Sequence, residues 1–132
     1  MIMKFIDLDS QLKTVTENGK TLRDVIEFNI TKVLNHTQFI CGPEVNQLEE
    51  ALAKFVNVKH SVGVSSGTDA LLIALMAIDL KPGEEVITSP FSFISTVEVI
   101  LMLKAKPVFV DIDPITFNID HSKIEEKITK KT

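Results

Sequence analysis

From residue 60 onward the chain alternates short apolar runs with helix-like stretches, and this alternation limits the possible folds more than any other feature. The predicted strands are residues 60–64, 85–88 and 107–110. The predicted helices are residues 69–78, 92–103 and 121–128. Short strands that alternate with helices are typical of βαβ units, whose strands lie parallel and whose crossovers are right-handed. We therefore expect an α/β fold.

The first 58 residues show a helical periodicity instead. Apolar residues recur on one helical face at Leu22, Val25, Ile26, Ile30, Val33 and Leu34. A second helix is expected to begin at Gly42-Pro43, because proline is favoured at the first helical position. Its apolar face is Val45, Leu48, Leu52 and Phe55. We expect a single incomplete domain, with N-terminal helices in residues 1–58 and a βαβαβα part in residues 59–132.

Three loops are predicted to meet at one edge of the sheet. Ligands of open α/β sheets bind beyond the carboxyl ends of the strands. The loops that follow the predicted strands are residues 65–68, 89–93 and 111–114. A site formed by this part of the chain is expected at that edge.

The small-residue turn Ser65-Ser66-Gly67-Thr68 permits two interpretations. The unpaired N–H groups of a helix N-terminus can hold a phosphate. Gly67 would allow close approach of the backbone, and Thr68 would add a hydroxyl donor. Alternatively, Ser66 or Thr68 simply caps the helix. Asp69 favours the cap, since its carboxylate would repel a phosphate unless it were turned away.

Two aromatic side chains in the loop Pro90-Phe91-Ser92-Phe93 also leave two possibilities. At the ligand edge of a sheet they could stack on a flat ring. The residues alone favour the alternative, in which one or both rings fill the core.

Other candidate sites have weaker support. An apolar strand followed by Asp111 and Asp113 is similar to the start of a magnesium-dependent phosphatase motif of the haloacid dehalogenase type, but the threonine comes one residue too late for it. The histidines lack metal-ligand spacing, so no metal site is expected. A nucleophilic pair of Cys41 with His36 would need a geometry that spacing cannot indicate.

The overall composition limits the partners and the compartment. The chain has 132 residues, a net charge of −4 and no basic stripe, which argues against nucleic-acid binding. Its longest apolar run, residues 70–78, is far below the ~20 residues of a membrane span. Asp7 and Asp9 come too early for a signal peptide, and the lone Cys41 suits a reducing compartment. We expect a cytoplasmic protein without a membrane partner.

Six segments together resemble the N-terminal part of the DegT/DnrJ/StrS family of nucleotide-sugar aminotransferases, which use pyridoxal 5′-phosphate (PLP). The segments are FIDL at 5–8, QFICGPEV at 38–45, VGVSSGTDAL at 62–71, KPGEEVIT at 81–88, PFSFIST at 90–96 and PVFVDID at 107–113. They occur in the order and spacing of the family. The resemblance implies part of the large domain of the aspartate-aminotransferase-like fold (PLP fold type I).

The resemblance also implies roles for individual residues. Gly67 and Thr68 match the positions that hold the PLP phosphate, and an acid at the position of Asp69 is common in the family. Phe93 matches the aromatic residue that stacks on the pyridine ring. Residues 39–43 resemble a segment near the dimer interface and the mouth of the active site.

The match ends at residues 128–132, whereas family members continue into another strand. The expected consequence is that three parts are missing: the Schiff-base lysine, the aspartate that pairs with the pyridine nitrogen, and a Ser or Thr of the phosphate site. Lys59, Lys81, Lys104 and Lys106 lie near turns or strand starts, so no catalytic residue is assigned within the chain.

We therefore expect a truncated or split homologue of a keto-sugar aminotransferase for cell-envelope polysaccharides, inactive alone and with weak or no PLP binding. Its partners would be a nucleotide-sugar, an amino-acid donor, and a second copy or a complementary fragment. The alternatives are a non-catalytic assembly module and, more distantly, the phosphatase with Asp111 and Asp113.

Overall fold

The computed structural model describes residues 5–132, so the first four residues of the stretch compared with a signal peptide lie outside it. The contacts divide the chain into two compact units, the first ending at Gly63 and the second beginning at Val64. The helices are α1 (Leu8–Leu12), α2 (Leu22–His36), α3 (Pro43–Phe55), α4 (Gly67–Ala77) and α5 (Ser95–Met102). The strands are β1 (Glu85–Thr88) and β2 (Lys106–Phe109), and two 3₁₀ turns follow at His121–Lys123 and Glu125–Lys127.

Capping residues and a proline define where α2 begins and ends and where α3 begins. Thr21 and Asp24 form a capping box at the start of α2, in which each side chain accepts the other residue's backbone N–H. The helix ends at Thr37, which has a left-handed φ of 58°. α3 begins with Pro43 directly after its N-cap, Gly42. Both predicted helices are confirmed, whereas the short α1 was not predicted.

The second unit contains a parallel pair of strands with α5 between them in sequence. β1 pairs with β2 in the register Glu85↔Lys106 to Thr88↔Phe109. β1 has the predicted bounds, and β2 begins one residue earlier than predicted. The buried residues Val99, Ile100 and Ala105 form the core, against which Leu72, Leu75, Leu80 and Val86 pack. The α/β prediction is therefore confirmed.

The predicted strand at residues 60–64 is wrong. No described residue pairs with this segment as a neighbouring strand. The amide of Gly63 donates instead to the Glu49 carboxylate at 2.6 Å. An apolar run becomes a strand only when a second strand satisfies its backbone groups, and sequence pattern does not supply that partner.

The predicted helix at residues 121–128 is replaced by the two 3₁₀ turns. Asp120 caps the first turn, because its carboxylate accepts the N–H of Ser122 at 3.1 Å. Only Ile124 of this segment is partly buried. Such limited packing does not offset the cost of nucleating an α-helix, and short 3₁₀ turns result. The predicted helix from residue 92 also begins later, at Ser95.

Much apolar surface remains exposed. α4 contains no buried residue, and the side chains of Leu71, Ile73 and Met76 are 40–58% exposed. This apolar helix therefore leaves part of its surface uncovered. Within residues 5–132, no helix is both long and apolar enough to cross a membrane.

Ile100→Ala should destabilise the second unit. Ile100 is 1% exposed, and its truncation leaves a cavity that typically costs about 2–5 kcal/mol. Urea denaturation followed by circular dichroism measures the loss. The matched control is Ile115→Ala, because Ile115 is 85% exposed and should change the unfolding free energy by less than about 0.5 kcal/mol. Equal effects of the two substitutions would contradict this description of the core.

The exposed apolar surface predicts self-association. Extensive exposed apolar surface promotes oligomers or aggregates. Multi-angle light scattering over a range of protein concentrations should show a mass above 14.7 kDa that rises with concentration. A monodisperse monomer with a sharp thermal transition would be the contrary result.

Candidate functional site

The N-terminus of α4 is capped and still presents free donors. The Ser66 hydroxyl oxygen accepts the N–H of Asp69 at 3.1 Å. The backbone N–H groups of Gly67 and Thr68 make no hydrogen bond to any residue in the described part of the chain. The helix cap predicted from sequence is therefore present, but it uses one amide of the first turn and leaves two for another acceptor.

The carboxylate of Asp69 is held by the two serines that precede the helix. The hydroxyl groups of Ser65 and Ser66 both donate to the same Asp69 oxygen, Ser66 at 3.1 Å. These bonds turn the carboxylate toward the serines and distribute its charge. The repulsion that the sequence predicted between Asp69 and an anion is thereby reduced.

Open space lies in front of Gly67. A Cβ atom built at this position would meet no heavy atom within 4 Å beyond its immediate neighbours. No packing within residues 5–132 therefore requires a glycine here. The space is free for a ligand that approaches the backbone, and a phosphate fits these donors in charge and in hydrogen-bonding capacity.

The two phenylalanines beyond β1 do not fill the core, so that expectation is wrong. Phe93 is 76% exposed. Phe91 is also exposed and packs against Phe117, with 6.2 Å between ring centroids. The small core is already filled by side chains of α4, α5 and β1, which leaves the face of Phe93 available for stacking.

The site residues belong to one unit and to two neighbouring helices. Gly67 and Thr68 begin α4, and Phe93 lies just before α5. The two helices pack through Leu72 and Leu75 of α4 and the buried residues of α5. In the described residues, no hydrogen bond or ring contact joins Phe93 to Gly67 or Thr68. The structure thus fixes each element without direct contact between the candidate residues.

Asp111 and Asp113 have local structural roles. The Asp113 carboxylate accepts the N–H groups of Ile115 and Thr116 at 3.0 and 2.7 Å. These backbone bonds lower the pKa of Asp113 below its ordinary value. Asp111 accepts the N–H of Ile112 at 2.8 Å. Through these bonds both carboxylates hold the turn. Among residues 5–132 no three potential metal ligands cluster.

The contact between His36 and Glu44 is among those that spacing in the sequence did not indicate. Nε2 of His36 lies 3.2 Å from both carboxylate oxygens of Glu44. Cys41, the other member of the considered Cys–His pair, is exposed. Because His36 and Glu44 lie on different helices, no helical periodicity could have predicted their contact.

Comparisons with known proteins agree with the resemblance seen in the sequence. The profile of the DegT/DnrJ/EryC1/StrS aminotransferase family matches residues 21–132. A UDP-2-acetamido-2-deoxy-3-oxo-D-glucuronate aminotransferase of Pseudomonas aeruginosa is 44% identical over 131 residues, which are 99% of this chain and 34% of that protein. The chain belongs to the DegT/DnrJ/EryC1/StrS aminotransferase family.

Solved structures show the same relationship. A family aminotransferase from Brucella abortus superposes with a TM-score of 0.84 and 35% identity, over 94% of this chain and 31% of that one. NtdA of Bacillus subtilis, solved with bound cofactor PMP, superposes with a TM-score of 0.79 and 33% identity. The match covers 99% of this chain and 34% of the NtdA chain. The chain has the fold of part of these enzymes and spans about a third of their length.

Proposed function

We propose that this chain supplies the phosphate-binding end and one stacking surface for PLP in a nucleotide-sugar aminotransferase, and that it transfers no amino group by itself. The observation that carries the proposal is the N-terminus of α4. Two free amides and open space occur there at Gly67 and Thr68, the positions that match the family's phosphate-binding residues.

The chemistry of the α4 N-terminus suits a phosphate dianion. The N–H groups of Gly67 and Thr68 and the Thr68 hydroxyl are donors, and the positive end of the helix dipole favours an anion. Asp69 is already engaged by Ser65 and Ser66. These donors would fix the phosphate, while the exposed face of Phe93 would support the pyridine ring.

PLP, when bound, supplies an electron sink for the transfer of an amino group. That reaction also needs a lysine near the cofactor and an acid beside the pyridine nitrogen, and we assign neither to this chain. Lys106 lies at the amino end of β2 and pairs with Glu85 at 3.0 Å, at the end of the sheet opposite the Phe93 loop. Lys81 pairs with Asp79 in a turn. These positions support the proposal that the lysine comes from outside residues 1–132.

The proposed substrates follow from the relatives. The Pseudomonas aeruginosa relative is named for a 3-oxo sugar carried on UDP. We propose a keto-sugar nucleotide as amino acceptor and an amino acid as donor, in a homo-oligomer located in the cytoplasm.

A non-catalytic assembly module is the second candidate. The exposed apolar surface of α4 favours it, because a complementary fragment could cover that surface. Co-purification of a second polypeptide with the missing lysine would support this candidate, and in that case the two chains together should bind PLP.

The isolated chain should show no transamination above that of free PLP. A coupled assay with an amino-sugar nucleotide, 2-oxoglutarate and PLP measures this, with the whole Pseudomonas aeruginosa relative as the positive control. The physical reason is that transamination requires a group that transfers a proton. The phosphate-binding residues and the stacking ring assigned to this chain do not supply one. Turnover well above free PLP would overturn the proposal.

A chimera tests the assigned roles directly. Residues 1–132 would replace the matching first third of the Pseudomonas aeruginosa relative, which is 44% identical there. Thr68→Ala in this chimera should raise the Kd for PLP about ten-fold, because a hydrogen bond to a charged group is lost. Thr68→Ser retains the hydroxyl and should restore binding.

Phe93→Leu in the same chimera should also weaken PLP binding, since it removes the aromatic face. Phe91→Leu is the matched control, because Phe91 is likewise exposed but contacts Phe117. Equal PLP affinity in all four variants, measured by fluorescence titration, would show that α4 and Phe93 do not bind the cofactor.

A further inference from the structure

The ring of His36 joins two parts of the first unit. Its Nδ1 accepts the backbone N–H of Gln38 at 3.1 Å. Its Nε2 lies 3.2 Å from both oxygens of the Glu44 carboxylate. The ring therefore links the turn after α2 to the first turn of α3.

These contacts define the protonation state of the ring. A backbone N–H can only donate, so Nδ1 of His36 must carry no proton. The neutral ring then holds its proton on Nε2 and donates it to Glu44. Only this tautomer satisfies Gln38 and Glu44 together.

The charged groups facing the ring are Glu44 from α3 and Lys32 from α2. Lys32 Nζ is 3.2 Å from a Glu44 oxygen. The side chains of His36 and Glu44 are 23% and 31% exposed. The backbone amide of Glu44 itself, followed by Lys32 and His36, lowers the pKa of Glu44. Glu44 therefore stays ionised over the range in which histidines change charge, about pH 5–8.

Gln38 is the constrained residue of the turn. Its N–H is held by the ring, and its carbonyl oxygen lies so close to Gly42 that a Cβ there would collide with it. Thr37 and Cys41 have left-handed φ values of 58° and 49°. The turn between them presents Phe39 and Ile40, which are exposed. Loss of the Gln38 bond would free a turn that carries apolar side chains.

We propose that His36 is an acid-sensitive latch on residues 37–42. Protonation places a hydrogen on Nδ1, so the ring can no longer accept from Gln38 and instead faces it with a second donor. The same proton strengthens the contact of Nε2 with Glu44, because the pair becomes oppositely charged. The ring stays with α3, and the turn is released below the transition.

Nuclear magnetic resonance on the unmodified chain tests the latch in two ways. At pH 8 the ¹⁵N shifts of His36 should show an unprotonated Nδ1. Between pH 8 and pH 5 the Gln38 amide should lose about five-fold in protection, after correction for intrinsic exchange, as expected for one hydrogen bond. The amide of Val110, bonded to Thr88 at 3.0 Å, serves as the reference for global unfolding.

Variants separate the latch from other pH effects. His36→Asn keeps a side-chain acceptor near the Nδ1 position but does not titrate, so protection of Gln38 should become independent of pH. His121→Asn is the matched control and should leave the transition unchanged, since His121 is exposed in the second unit.

Three results would each overturn the latch. The first is a protonated Nδ1 at pH 8. The second is constant Gln38 protection in the unmodified chain across the pH series. The third is loss of Val110 protection in parallel with that of Gln38, which would indicate unfolding instead of local release.

Discussion

The apolar contact that α5 makes with α4 and β1 holds the candidate site in place. Val99 and Ile100 are each 1% exposed, and side chains of α4 and β1 pack around them. This contact fixes where α4 begins and where the chain leaves β1. The donors at Gly67 and the ring of Phe93 depend on it, although neither residue contributes to the core. The candidate binding residues thus lie at the ends of elements whose central residues provide the stability.

The same core is small for the apolar content of the chain. Hydrophobic residues make up 45% of the sequence, yet large side chains of α2, α3 and α4 remain exposed. Burial of apolar surface is the main favourable term in folding, so an uncovered apolar surface of this kind favours association with other protein surfaces. The chain spans about a third of the length of the relatives that it matches.

Elements with local signals could be predicted from the sequence, and those that depend on distant partners could not. The periodicity of α2, the proline that begins α3 and the bounds of β1 follow from neighbouring residues. The segment at residues 60–64 has the composition of a strand, but strand formation depends on a pairing partner. The exposure of Phe93 depends on how the core is filled, and the contact of His36 with Glu44 depends on how the turn between two helices closes.

A helix cap and a phosphate site can be present together at residues 65–69. A helix N-terminus offers several unpaired amides, and a side-chain cap satisfies only one or two of them. The hydroxyl oxygen of Ser66 accepts the backbone N–H of Asp69. The Asp69 carboxylate accepts hydrogen bonds from the hydroxyl groups of Ser65 and Ser66. This local network orders the turn before any ligand arrives and leaves the amides of Gly67 and Thr68 free. An anion that binds there meets a turn already in place, so less conformational entropy is lost on binding.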